Sequence, residues 1–172
     1  KGIAFSRKLK PSPYYNPKTI NLITPLNYDD HIEKISECDW VIEVIAERLD
    51  WKNVLYQKIF PHLKKNAIVT SNTSGISLAE LTQEMDKDLS DRFFITHFFN
   101  PPRYMRLMEI IPCSETDPGG LAFMSDFISK RLGKVNVYAK NTSNFIANRI
   151  GAFAICNVFR HMQALGLNVE EV

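Results

Sequence analysis

Apolar and polar positions along the chain switch between near-continuous runs and a helical stripe, and each switch marks an element. Asp39 to Ala46, DWVIEVIA, is an apolar run of strand length, the pattern of a parallel strand covered on both faces. Trp51 to Leu63 places Val54, Leu55 and Ile59 on one stripe and predicts an amphipathic helix. Ala67 to Thr70 predicts the next strand, ending in SNTSGIS, where Ser77 and Glu80 form a capping box for a helix over 77–84. Phe93 to Phe99 is β-branched and aromatic without a helical period, and reads as a strand. Asn100-Pro101-Pro102 then forces a turn, because the prolines remove two donors and push Asn100 out of the helical region. A second short apolar run, Arg106 to Pro112, carries one carboxylate, Glu109. Asp117 caps and Pro118 opens a helix that buries Leu121, Met124, Phe127 and Ile128 and stops at Gly133. Lys134 to Ala139 is one more strand, and a long helix runs from about Ser143 to Gly166.

The first forty residues are less regular. Lys1 to Asn21 is basic and proline-punctuated, and reads as a helix end followed by an irregular connection. Leu22 to Asn27 contains Pro25 and is expected as an edge strand. Asp29 or Asp30 is expected to cap a short helix that turns Ile32 and Ile35 inward. Strand and helix alternate from there on, which predicts an α/β fold with a doubly wound, mostly parallel sheet. No internal repeat or low-complexity segment interrupts it.

Composition narrows the function classes. With 172 residues, 45% of them hydrophobic and 23% charged, the chain matches one globular domain and not a disordered one. No apolar run approaches the roughly 18 residues of a membrane span, so no membrane partner is expected. Cys38, Cys113 and Cys156 are scattered, with no CxxC spacing, which argues against a disulfide framework or zinc site and fits a reducing, cytoplasmic setting. A net charge of +2 is too small to imply nucleic-acid binding. The basic pairs Lys64-Lys65 and Lys130-Arg131 read as solvated faces.

The candidate chemistry lies between Phe93 and Pro112. His97 ends a predicted strand, where α/β sheets present groups to ligands. Glu109 is costly to bury without a partner, and the proline turn can fold the two segments together. A histidine held by a carboxylate is the basic unit of general-base catalysis. Each residue has a plainer reading too: a polar residue at a sheet edge, and a glutamate with its head in solvent. Likewise Ser71-Asn72-Thr73-Ser74 is by itself a loop rich in turn formers, and Glu47 and Lys52 look like first-turn helix charges.

HFFNPP followed by MEIIP, SNTS before them and NFIANRIG after them occur in this order. From about Pro25 to the C-terminus the sequence resembles the 3-hydroxyacyl-CoA dehydrogenase family of fatty-acid β-oxidation, most closely its long multidomain bacterial members. The resemblance implies a Rossmann-like fold, NAD as cofactor and an acyl-CoA thioester as substrate. It implies His97 as catalytic base with Glu109 as its partner, Ser74 near the substrate oxygen, and Asn148 as a donor to the substrate carbonyl. It also implies Glu47, Lys52, Asn72 and Asn100 near the cofactor; Asn100 equally caps the turn. Three positions depart from the family's commoner pattern: Gly75 where a serine often follows SNTS, Val44 in place of a smaller residue, and NTSNFIANRIG in place of a glycine-containing form.

No GxGxxG turn follows a strand anywhere in the chain. The reading this implies is an internal fragment. Residues 1–140 would be a partial NAD-binding domain without its glycine-rich first βα unit, and 141–172 the start of an all-helical domain. Alone, such a chain is expected to be inactive, to bind NAD poorly or not at all, and to expose sheet edges that pair with another molecule. A homo-oligomer contact would then use those edges or the C-terminal helix. Two alternatives stay open: a catalytically silent interaction fragment, and a related short-chain 3-hydroxybutyryl-CoA dehydrogenase.

Overall fold

The computed structural model describes residues 2–172. Five strands form one sheet in the order β1-β2-β3-β4-β5: Trp40–Glu43, Ile68–Ser71, Phe93–Phe98, Leu107–Ile111 and Val135–Tyr138. The β1–β2, β2–β3 and β4–β5 pairs are parallel, and β3–β4 is antiparallel. Helices α1 (Gly2–Ser6), α2 (Leu49–Ile59), α3 (Leu78–Thr82), α4 (Lys87–Asp91), α5 (Pro118–Leu132) and α6 (Ala147–Leu165) complete the fold. The doubly wound, mostly parallel α/β sheet is therefore present.

Alternation along the strands builds two cores. On one face Val69, Phe93, Ile95 and Ile111 pack with Leu55, Tyr56 and Ile59 of α2, Leu78 and Leu81 of α3, and Phe145. On the other, Ile68, Phe94, Met108 and Ile110 pack with Met124 and Ile128 of α5. This second face also buries hydroxyls that satisfy one another: Thr96 Oγ1 bonds Thr70 Oγ1 at 2.8 Å, and the Trp40 indole donates to the latter at 2.9 Å. The antiparallel turn after β3 is pinned by Lys134, whose ammonium donates to the Pro102 and Met105 carbonyls.

Helix ends follow their local chemistry. Ser77 and Glu80 make the reciprocal capping box of α3. Asp117 accepts from the Gly120 amide at 2.6 Å with Pro118 in the first turn of α5. Gly133 and Gly166 end α5 and α6 at φ 65° and 67°, where a side chain would be strained.

Several expectations are corrected. Leu22 to Asn27 is not an edge strand: Pro17–Leu22 is a 3₁₀ helix capped by Asn16, and the following residues are irregular. Neither Asp29 nor Asp30 caps the next helical turn, a 3₁₀ helix over Ile32–Glu37 preceded by His31; the Asp29 carboxylate accepts from Lys58 and that of Asp30 from the Asn27 side chain. Ile32 and Ile35 do pack inward. The DWVIEVIA run yields only Trp40–Glu43 as strand, with Ile42 exposed within it and Val44 exposed just beyond, so that stretch is not covered on both faces. Val54 is 67% exposed; the buried stripe of α2 is Lys52, Leu55, Tyr56 and Ile59, which admits a lysine that pattern reading treats as surface. Phe127 is 37% exposed. The long helix starts at Ala147, not Ser143, because Asn144 and Phe145 have φ of 63° and 47°.

Replacing Asp117 with Ala removes the cap of a 15-residue helix. Urea unfolding is expected to show a loss of about 1 kcal/mol. An unchanged midpoint would show that Asp117 does not hold α5.

Candidate active site

Antiparallel pairing of β3 with β4 sets His97 directly opposite Glu109, on the face that carries Phe93, Ile95 and Ile111 one and two rungs away. Residues opposite one another in such a pair lie side by side. The His97 Nδ1 lies 2.8 Å from Glu109 Oε2, and the two residues are 4% and 1% exposed. Glu109 Oε1 accepts from the Ile146 and Ala147 amides at 3.0 and 2.8 Å. Those amides open α6, whose N-cap Ile146 offers no side-chain acceptor. Glu109 thus serves as the cap of a helix distant in sequence, where a carboxylate is the natural partner.

With Nδ1 donating to Glu109, the lone pair of His97 is on Nε2. That atom is 3.2 Å from Ser74 Oγ, which donates to it. The Phe99 and Phe145 rings meet the imidazole edge-on at 4.6 and 5.5 Å and restrict its rotation. Base, orienting carboxylate and hydroxyl are one connected set, and it can take a proton from a bound hydroxyl at Nε2.

Ser74 is exposed on the loop that leaves β2, and that loop is held by Glu47. The Glu47 carboxylate accepts from Thr73 Oγ1, from the Ser74 amide at 2.9 Å and from the Gly75 amide at 3.0 Å. Partial burial alone would raise its pKa. The Thr73, Ser74 and Gly75 donors and the Lys52 charge outweigh that and hold it below the usual glutamate range. Glu47 precedes α2 and is not a first-turn helix charge. Lys52 faces inward: it is 1% exposed and bonded to Glu43 at 2.8 Å, with Glu47 at 3.6 Å. Asn72 ties β2 to β3 by accepting from the Phe98 amide at 2.9 Å. Asn100 is exposed on the turn after β3. Asn148 is half-buried in the first turn of α6, not mid-helix, next to the amide that binds Glu109. Its side chain has no hydrogen-bond partner among the described residues, which leaves its amide free for a ligand.

Pattern reading missed Glu43. It sits in the apolar run DWVIEVIA, where a lone carboxylate, costly to bury without a partner, was the available signal.

Residues 4–142 match the family described as the NAD binding domain of 3-hydroxyacyl-CoA dehydrogenase. The chain belongs to that family. A Bacillus subtilis relative named as a probable 3-hydroxyacyl-CoA dehydrogenase is 46% identical over 96% of this chain. A Rickettsia felis relative, provisionally named as a fatty acid oxidation complex trifunctional enzyme, is 46% identical over 86%. The chain spans only 21% of the length of each. Among solved structures, (S)-3-hydroxybutyryl-CoA dehydrogenase from Ralstonia eutropha superposes with a TM-score of 0.73. It is 33% identical, and the match covers 82% of this chain and 49% of that one.

The residues of this NAD-binding family domain leave one edge of the sheet that fits the cofactor. The ends of β1 and β2 leave Val44 and Ser74 exposed at the carboxyl edge of the parallel strands, where nucleotides bind in such sheets. That edge is open to a nucleotide cofactor such as NAD. No glycine-rich strand-to-helix turn for the pyrophosphate occurs in the sequence.

Glu109→Gln keeps the shape and tests the dyad. If its carbonyl stays on the two helix amides, its NH₂ faces His97 Nδ1 and drives the ring proton to Nε2, the wrong tautomer for a base. Turnover of the complete protein is expected to fall by about two to four orders of magnitude. A loss under about threefold would contradict this role.

Proposed function

We propose that the protein carrying this chain oxidises (S)-3-hydroxyacyl-CoA to 3-oxoacyl-CoA with NAD, as a step of fatty-acid β-oxidation. The observation that carries the reading is the buried Glu109–His97 pair, with Nε2 directed to the exposed Ser74 loop. His97 Nε2 takes the proton of the substrate 3-hydroxyl as the 3-oxo group forms. Glu109 keeps the ring in the Nδ1–H tautomer and stabilises the imidazolium that results. Ser74 donates to the substrate oxygen, and the free amide of Asn148 donates to the thioester carbonyl. Bound NAD would supply the acceptor for the hydride that leaves C3. In the reverse direction, protonated His97 returns its proton to the 3-oxo oxygen.

Asn72, Asn100 and Glu47, with Lys52 behind Glu47, are the residues we assign to the nicotinamide side. Residues 1–140 are read as a partial NAD-binding domain and 141–172 as the start of a helical domain, since α6 buries none of its own residues. The edge of β1 and the exposed Ile150, Phe153 and Phe159 of α6 are the surfaces on which homo-oligomer contact is placed. No helix among the described residues is long and apolar enough to cross a membrane, and a cytoplasmic setting is part of the same proposal.

The test is NADH oxidation with acetoacetyl-CoA by the complete protein and its His97→Gln variant. The variant is expected to lose about two to four orders of magnitude in kcat. A folded protein without turnover, or a variant that keeps its rate, would overturn the reading and favour a silent module.

A further inference from the structure

Beneath the Ser74 loop lies a buried charge network that takes no proton in the chemistry above. Glu43, the last residue of β1, is 2% exposed and faces α2. Its carboxylate accepts from Lys52 Nζ at 2.8 Å on both oxygens, from the Tyr56 hydroxyl at 3.0 Å, from Ser71 Oγ at 2.6 Å and from the Ile45 amide at 2.6 Å. Burial and the Glu43 charge push the Tyr56 phenol far above its ordinary value, so it stays a donor. Lys52 is thereby held by Glu43 and makes only a 3.6 Å contact with Glu47 Oε2. That division leaves Glu47 Oε1 for Thr73, Ser74 and Gly75. A second route is shorter: the hydroxyl of Ser71, bonded to Glu43, accepts from the Thr73 amide at 3.2 Å.

We propose that Glu43 is a positioning residue for the reaction, acting through Lys52, Glu47 and Ser71 to hold the Thr73–Gly75 loop, and with it the Ser74 hydroxyl, against His97. The proposal rests on the dehydrogenase reading. The charge count supports it: one lysine stands between two carboxylates, and Glu47 meets its remaining need from the loop. Without the Glu43 charge, buried Lys52 has Glu47 as its one remaining carboxylate and draws it off the loop amides. Stability alone does not require this arrangement, since well-packed apolar residues serve a core equally well.

The test is a double-mutant cycle on kcat in the complete protein: wild type, Glu43→Gln, Ser74→Ala and the double variant, with thermal melts confirming that each is folded. If Glu43 acts through Ser74, Glu43→Gln lowers kcat by roughly tenfold, and Ser74→Ala by about ten- to a hundredfold. The double variant then falls within about twofold of Ser74→Ala alone. If the two losses multiply, or Glu43→Gln keeps its rate, Glu43 serves only the fold and the inference fails. Should Glu43→Gln not fold, Ser71→Ala replaces it, cutting the shorter route from Glu43 to the Thr73 amide. Non-multiplying losses again support the inference, and multiplying losses or an unchanged rate overturn it. A His97→Gln variant that retains turnover would sink the dehydrogenase reading instead, so the two failures are distinguishable.

Discussion

Glu109 divides its oxygens between a histidine and a helix, one on His97 Nδ1 and the other on the first amides of α6. A carboxylate that is almost wholly buried is tolerable only if its lone pairs are occupied, and these three donors occupy them. The site therefore depends on three parts of the chain arriving together. The β3–β4 register supplies the pair, the proline turn supplies the register, and the backbone entering α6 supplies the amides. That entry is strained. Asn144 and Phe145 are non-glycine residues at positive φ, each costing on the order of 1–3 kcal/mol. Buried packing of Phe145 against the first core and the His97 ring stands against that cost.

The same sheet face explains where chemistry begins. Val41, Val69, Phe93, Ile95 and Ile111 make it apolar toward the amino ends of the parallel strands. Beyond them the inward positions become Glu43, Ser71, His97 and Glu109. Polar groups at those positions are affordable because α2 brings Lys52 and Tyr56, and α6 brings its amides, to meet them. One alternation rule thus builds a core at one end of a face and a reactive edge at the other.

Much of this was legible in the residues themselves. The β3 strand, the turn after it, the cap at Asp117 and the stops at Gly133 and Gly166 follow from local chemistry that tertiary contacts did not override. The His97–Glu109 pairing was legible because a turn of known sense lay between them. What escaped depended on long-range geometry. Leu22–Asn27 has apolar letters but no neighbouring strand to pair with. Val54 fits the stripe of α2, yet the sheet surface that α2 meets takes Lys52 and Tyr56 instead. The inward turn of Lys52, and the distinction between Glu43 and Glu47, rest on contacts across nine to twenty-eight residues, which no local period encodes. The strained start of α6 was hidden in the same way, since only a tertiary partner makes such backbone worth holding.

The most direct measurement is the ¹⁵N spectrum of the His97 ring in the complete protein, taken where the imidazole is neutral. The account predicts a proton on Nδ1 and a bare Nε2, with that preference lost in Glu109→Gln. A proton on Nε2 in the unaltered protein would mean that Glu109 does not set the tautomer, and that His97 is not poised as the base.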